Sequence, residues 1–154
     1  MKMFKRSTKI SAVALMICAF MFSANSFAQK TVKIEGHDNM KFSVEKITAK
    51  PGEKITVELT TKSKLPAVAM SHNFVLLDQG VDARDFAMAG SKHKDHDYID
   101  PAKEDEVIAH TDMASGGETV KVTFTAPKKS GDYEYICTFP GHFVSGMKGT
   151  LTVQ

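Results

Sequence analysis

The sequence predicts an all-β fold: a two-sheet β-sandwich with Greek-key connections and one short helical flap. Three observations carry this. Apolar and polar residues alternate in run after run downstream of residue 29, as with Ile55, Val57 and Leu59 against Thr56, Glu58 and Thr60. Turn-forming residues punctuate the runs, Pro51-Gly52-Glu53 most clearly. A fair helical pattern occurs only at Asp82 to Ala89, and Gly90 ends it.

The chain begins with Lys2, Lys5, Arg6 and Lys9, then an apolar run from Ile10 to Phe22, then Ser26-Phe27-Ala28. A basic start, an apolar middle and small residues at a cleavage site make residues 1–28 a secretory signal peptide, cut after Ala28. The apolar run is short for a membrane span. Residues 29–154 then form one domain. Within it Val32 and Ile34 alternate with Thr31 and Lys33, and Phe42 and Val44 with Ser43 and Glu45. The strand of Ile55, Val57 and Leu59 follows the turn. His72 to Leu77 reads as a more buried strand, Val107 to His110 as a short one, and Val120, Val122 and Phe124 as a clean alternating one. Tyr133, Tyr135 and Cys137 share the core face of a strand from Asp132, and Lys148 to Val153 closes the chain. Seven or eight strands result. Gly80 to Asp105 is expected to be a surface flap carrying the helix.

Once the leader is removed, 16 basic residues face 18 acidic ones, a net charge near −2. A nearly neutral domain without a basic block offers nothing to nucleic acid. Cys18 leaves with the leader, so Cys137 is the one cysteine of the mature chain and no internal disulfide can form. A lone exported thiol is a reactive group, an intermolecular link or a metal ligand.

Cys137 opens the stretch Cys137-Thr138-Phe139-Pro140-Gly141-His142-Phe143-Val144-Ser145-Gly146-Met147, which sets a thiol, an imidazole and a thioether at Cys-x4-His-x4-Met spacing between two strands. A loop held at both ends can aim all three at one point. Thiolate, imidazole and a weak thioether suit a copper ion that changes oxidation state. A second imidazole is needed, and His72, which opens a buried strand, is the best placed. Each residue also has an ordinary reading: a buried cysteine as a small hydrophobe, a loop histidine, a methionine filling the core. Their joint occurrence around one exported cysteine favours the metal. Zinc remains a rival, although it takes further thiolates or a carboxylate rather than a thioether. A Cys-His nucleophile is another, but no third member is evident, and the chain is read as a non-enzyme. His93 and His96 lie among charges in the flap and read as solvated, while His37 and His110 receive no role.

With these residues in view, the chain resembles the azurins, blue-copper cupredoxins of the bacterial periplasm. The resemblance runs through Asn39-Met40-Lys41-Phe42, Met70-Ser71-His72-Asn73-Phe74-Val75-Leu76, Val107-Ile108-Ala109-His110-Thr111, the copper loop, and Met147-Lys148-Gly149-Thr150-Leu151-Thr152-Val153. It implies a cupredoxin fold and one type 1 copper, with His72, Cys137 and His142 as equatorial ligands, Met147 as axial ligand and the Ser71 carbonyl approaching weakly. It also implies that the Asn73 amide ties the His72 strand to the cysteine loop. The implied activity is one-electron transfer in the periplasm between redox proteins such as c-type cytochromes or periplasmic reductases. They would dock at an apolar patch of Leu65, Pro66, Met70, Phe139, Pro140 and Phe143 around an exposed edge of His142. Copper delivery or storage is the alternative, and a metal-free adhesive sandwich a more distant one. The chain departs from azurins in having four residues rather than three between His142 and Met147, as auracyanins do. It also lacks their disulfide, and Phe74 stands where they carry tryptophan.

Overall fold

The alternating runs form nine strands in residues 29–154, the part of the chain described by this computed structural model; the expected leader, 1–28, lies outside it. The strands are β1 (Lys30–His37), β2 (Lys41–Phe42), β3 (Lys46–Ala49), β4 (Lys54–Lys62), β5 (Val75–Leu77), β6 (Val107–His110), β7 (Thr119–Thr125), β8 (Gly131–Ile136) and β9 (Lys148–Val153), with helix α1 (Ala83–Gly90) between β5 and β6. One sheet has the order β2-β1-β4-β7 and the other β3-β9-β8-β5-β6. Both are mixed: β1 runs parallel to β4 and β3 parallel to β9, while the other pairings are antiparallel. The chain changes sheet between β2 and β3, β3 and β4, β4 and β5, β6 and β7, and β7 and β8, so the two layers cannot separate without unthreading these connections. Among the described residues no helix is long and apolar enough to cross a membrane.

Side-chain parity fills the space between the sheets. Ile34, Ile55, Val57, Leu59 and Phe124 from one layer meet Leu76, Tyr133, Tyr135, Leu151 and Val153 from the other. Phe74 packs against Tyr135 with ring centres 4.9 Å apart and the rings tilted. Cys137 and Met147 belong to this same cluster, so the candidate ligands close one end of the core.

The structure changes three sequence readings. The strand expected from His72 to Leu77 is a ladder only at Val75–Leu77; His72 makes an isolated bridge to Ala114. Between them the Phe74 N–H donates to the Thr111 hydroxyl, so a side chain interrupts the backbone pairing. The segment is nonetheless buried throughout, because the flap is not a loose surface connection. Helix α1, capped by the Asp82 carboxylate on the N–H groups of Arg84 and Asp85, buries Phe86 against Val75, Leu77 and Ile136 on the outer face of the second sheet. Lys94–His96 and Pro101–Glu106 add 3-10 turns where an irregular polar loop was expected. Finally, β3 was not anticipated: four residues at a sheet edge, with Ile47 and Ala49 turned inward, are a weak periodic signal.

Candidate metal centre

His72, Cys137 and His142 come together at the end of the sandwich, His72 from the connection between β4 and β5, Cys137 and His142 from the one between β8 and β9. The N–H and C=O of His72 both bond Ala114, at 2.9 and 2.8 Å, which fixes the backbone beneath its ring. Cys137 follows directly on β8 and is fully buried. The ligand loop closes on itself: Met147 N–H donates to the His142 carbonyl at 3.0 Å, and Cys137 N–H to the Met147 carbonyl at 3.2 Å.

The two Nδ1 atoms are 3.2 Å apart, and the Cys137 Sγ lies 3.5 Å from that of His142 and 3.9 Å from that of His72. A triangle with these sides has its centre about 2.1 Å from every corner, within the usual range of about 2.0–2.3 Å for a first-row metal bound to nitrogen or sulfur. Both imidazoles turn Nδ1 toward the Cys137 sulfur, and the Nε2 of His72 is buried without a hydrogen-bond partner. An unpaired buried group of this kind costs about 1–3 kcal/mol, and packing alone gives no return for it. Among the described residues this is the one group of three or more potential ligands with atoms converging in this way. His93 instead lies 3.6 Å from Asp100, away from this group.

Met147 is fully buried. A Cβ added to Gly36 on β1 would meet both the His72 ring, at 2.6 Å, and the Met147 methyl, at 3.1 Å. The thioether and the His72 imidazole therefore share one floor, made of bare backbone. The sequence reading missed Gly36, although a glycine inside an otherwise alternating strand signals close approach. Ser71 is buried, and its hydroxyl donates to the Ala67 carbonyl at 2.8 Å.

The expected role of Asn73 has a clear geometry. Its Oδ1 accepts from Thr138 N–H at 2.9 Å, and its Nδ2 lies 2.8 Å from the Thr138 hydroxyl. Both side chains also donate to the carbonyl of Asp97, at 3.1 and 2.8 Å, a flap residue in left-handed conformation that the sequence reading did not single out. The His72 segment, the cysteine loop and the flap are thus tied at one point, the kind of outer support that orients ligands.

Burial lowers both His72 and His142 to about 4, with His142 adding to the effect on His72. Burial pushes the Cys137 thiol up to about 12. In the metal-free protein the imidazoles are therefore neutral and the thiol protonated at pH 7. Because the folded histidine values lie below the unfolded value near 6.5, the unfolded chain takes up more protons across that interval. Stability should fall as pH drops from about 6.5 to about 4, on the order of 3 kcal/mol for each imidazole. Urea midpoints of the metal-free protein through this window, with a His72→Gln/His142→Gln variant losing that slope, are the check.

The apolar patch differs from expectation: Met70 and the edge of His142, both expected at the surface, are buried, and Val68 and Val144, which were not anticipated, are exposed. Leu65 and Val68 are well exposed, at 46% and 79%, and Val144 joins them at 57%. Met70 is buried at 7%, since the Ala69 and Met70 N–H groups both return to the Pro66 carbonyl and draw the residue under the turn. It is not a docking contact. His142 itself shows only 3% of its surface, with Phe139 packed 4.6 Å from its ring centre.

Residues 28–154 match the family described as copper binding proteins, plastocyanin/azurin family. The chain is 43% identical over 126 residues to an azurin of Alcaligenes faecalis, covering 78% of this chain and 94% of that one. It is 37% identical over 150 residues to an azurin of Pseudomonas aeruginosa, covering 95% and 98%. Among solved structures, auracyanin A of Chloroflexus aurantiacus, described as a "blue" copper protein, superposes with a TM-score of 0.74 at 34% identity, over 82% of this chain and all of that one.

Proposed function

Because the chain belongs to the plastocyanin/azurin family of copper-binding proteins, we propose that it is an exported electron carrier with one type 1 copper held by His72, Cys137, His142 and Met147, the Ser71 carbonyl standing nearby. The observation that supports this most is the buried triangle of two Nδ1 atoms and one Sγ, which shares its floor with the Met147 thioether. Copper bound there supplies a one-electron couple, Cu(II) to Cu(I).

The chain's own residues do the rest. Cys137 must give up its proton to become a ligand, and its burial reserves the thiolate for the metal. Asn73, Thr138 and Asp97 hold the cysteine loop against the His72 segment, so the ligand atoms have little room to rearrange between oxidation states. The core excludes water from Cys137 and Met147. Residues 1–28 act as the cleaved leader to the periplasm, and 29–154 as the mature domain. Partners are redox proteins such as c-type cytochromes or periplasmic reductases, which meet Leu65, Val68 and Val144 in brief encounters.

The primary test is the visible spectrum of the mature protein loaded with Cu(II). Intense colour that bleaches on reduction is expected, and a colourless copper-loaded protein would overturn the reading. Slow redox cycling with transfer of the metal to an acceptor would point instead to delivery or storage. Docking has its own test. Val68→Lys is expected to slow electron exchange with a partner about tenfold, ~1.4 kcal/mol, while leaving the spectrum unchanged. Exchange rates equal to wild type would take Val68 off the docking face.

A further inference from the structure

We propose that Lys41 is a positioning residue for the metal site: its ammonium clasps the ligand loop at Gly146 and, through that carbonyl, sets the placement of Met147 and favours the reduced ion. The inference rests on the copper reading and goes beyond it to a residue outside the ligand set.

Lys41 lies on β2, which pairs with β1 so that His37 faces Lys41 and Gly36 faces Phe42. Its Nζ donates to the Gly146 carbonyl at 3.0 Å, a contact between residues 105 apart in the chain. Gly146 has φ +92, a conformation L side chains rarely adopt, and a Cβ there would run into the Lys41 Nζ. The ammonium thus fills the space beside the loop that a side chain would otherwise take. Gly146 directly precedes Met147. Its carbonyl also accepts from Lys148 N–H at 3.1 Å, so one oxygen gathers the end of the loop.

The same hairpin touches the site from its other side, because Gly36 lies against the His72 ring and the Met147 methyl. β1 and β2 together therefore form the wall on which the thioether rests, and Phe42, buried in the main core, anchors that wall. The four residues between His142 and Met147 carry conformational freedom that must be removed for Met147 to hold one position. Lys41 removes part of it from outside the loop. Among the described residues no carboxylate pairs with Lys41. Its charge is therefore not cancelled by an ion-pair partner, and a fixed cation disfavours the oxidation state with the larger positive charge.

Lys41→Met and Lys41→Arg separate the effects. In metal-free Lys41→Met the amides of Gly146, Met147 and Lys148 should exchange hydrogen at least tenfold faster. In the copper-loaded variant the Cu(I)/Cu(II) equilibrium should move toward Cu(II) by roughly three- to tenfold, tenfold being 59 mV for a one-electron couple, and the visible bands should change their relative intensity. Lys41→Arg keeps donor and charge and should stay near wild type in all three readouts. Loop exchange unchanged in Lys41→Met would overturn the clasp, even if the potential fell, because Lys41 would then be only a nearby charge. Lys41→Arg behaving like Lys41→Met would overturn it too. A wild-type protein that takes up no copper would sink the carrier reading while leaving the exchange result intact, so the two failures are distinguishable.

Discussion

Replacing Cys137 with serine is expected to abolish the visible absorption of the copper-loaded protein. The colour requires a thiolate bonded to the metal, and among the described residues Cys137 is the one free cysteine. Serine is nearly isosteric, and its hydroxyl would sit where Sγ now lies 3.5 Å from the Nδ1 of His142, so a hydrogen-bond partner is at hand. The metal-free variant should fold, losing about 1–3 kcal/mol in urea denaturation for the buried hydroxyl. Metal affinity should drop steeply, because a hydroxyl does not deprotonate as a thiol does. Absorption spectra of both proteins with equal Cu(II) decide the matter: retained intense colour would disprove the ligand assignment.

Gly36→Ala is expected to have the next largest effect, at a residue outside the ligand set. The new methyl would lie 2.6 Å from Cδ2 and 2.9 Å from Cγ of His72, and 3.1 Å from the Met147 methyl, where ordinary carbon contacts are about 3.5–4.0 Å. β1 cannot retreat, because it pairs with β4 in parallel from Lys30 to His37. The His72 ring and the thioether must move instead. Copper affinity should fall about 10- to 100-fold, as for losses of outer support at metal sites, and the metal-free protein should lose about 1–3 kcal/mol to overpacking. Competition against a chelator of known affinity measures the first, and urea unfolding the second. Affinity equal to wild type would show that the floor yields, and that the bare backbone at Gly36 is not needed.

Much of the architecture is legible in local patterns. Alternation placed Ile55, Val57 and Leu59 on one face, and all three are buried. The parity of Tyr133, Tyr135 and Cys137 put the thiol on the core side, where it lies. The three loop ligands were visible because one connection between β8 and β9 carries them all. Asp82 to Ala89 read as a helix because its cap and its apolar face are both local. Where the chain depends on distant partners, the signal weakens. β3 is held by parallel pairing with β9, about a hundred residues away, and its own four residues say little.

The sequence by itself determined the β-sandwich, the donor types and most of the metal loop, because side-chain periodicity and ligand chemistry are properties of neighbouring residues. Only the tertiary structure decided that His72 completes the triangle, that Met70 is buried while Val68 is exposed, and that Gly36, Lys41 and Asp97 lie against the ligand segments. These residues act from separate strands and from the flap. Their meeting depends on which strands pair, in which register, and on how the flap packs over the second sheet. Those choices are made by the whole fold settling around one core, and no single stretch of chain carries them.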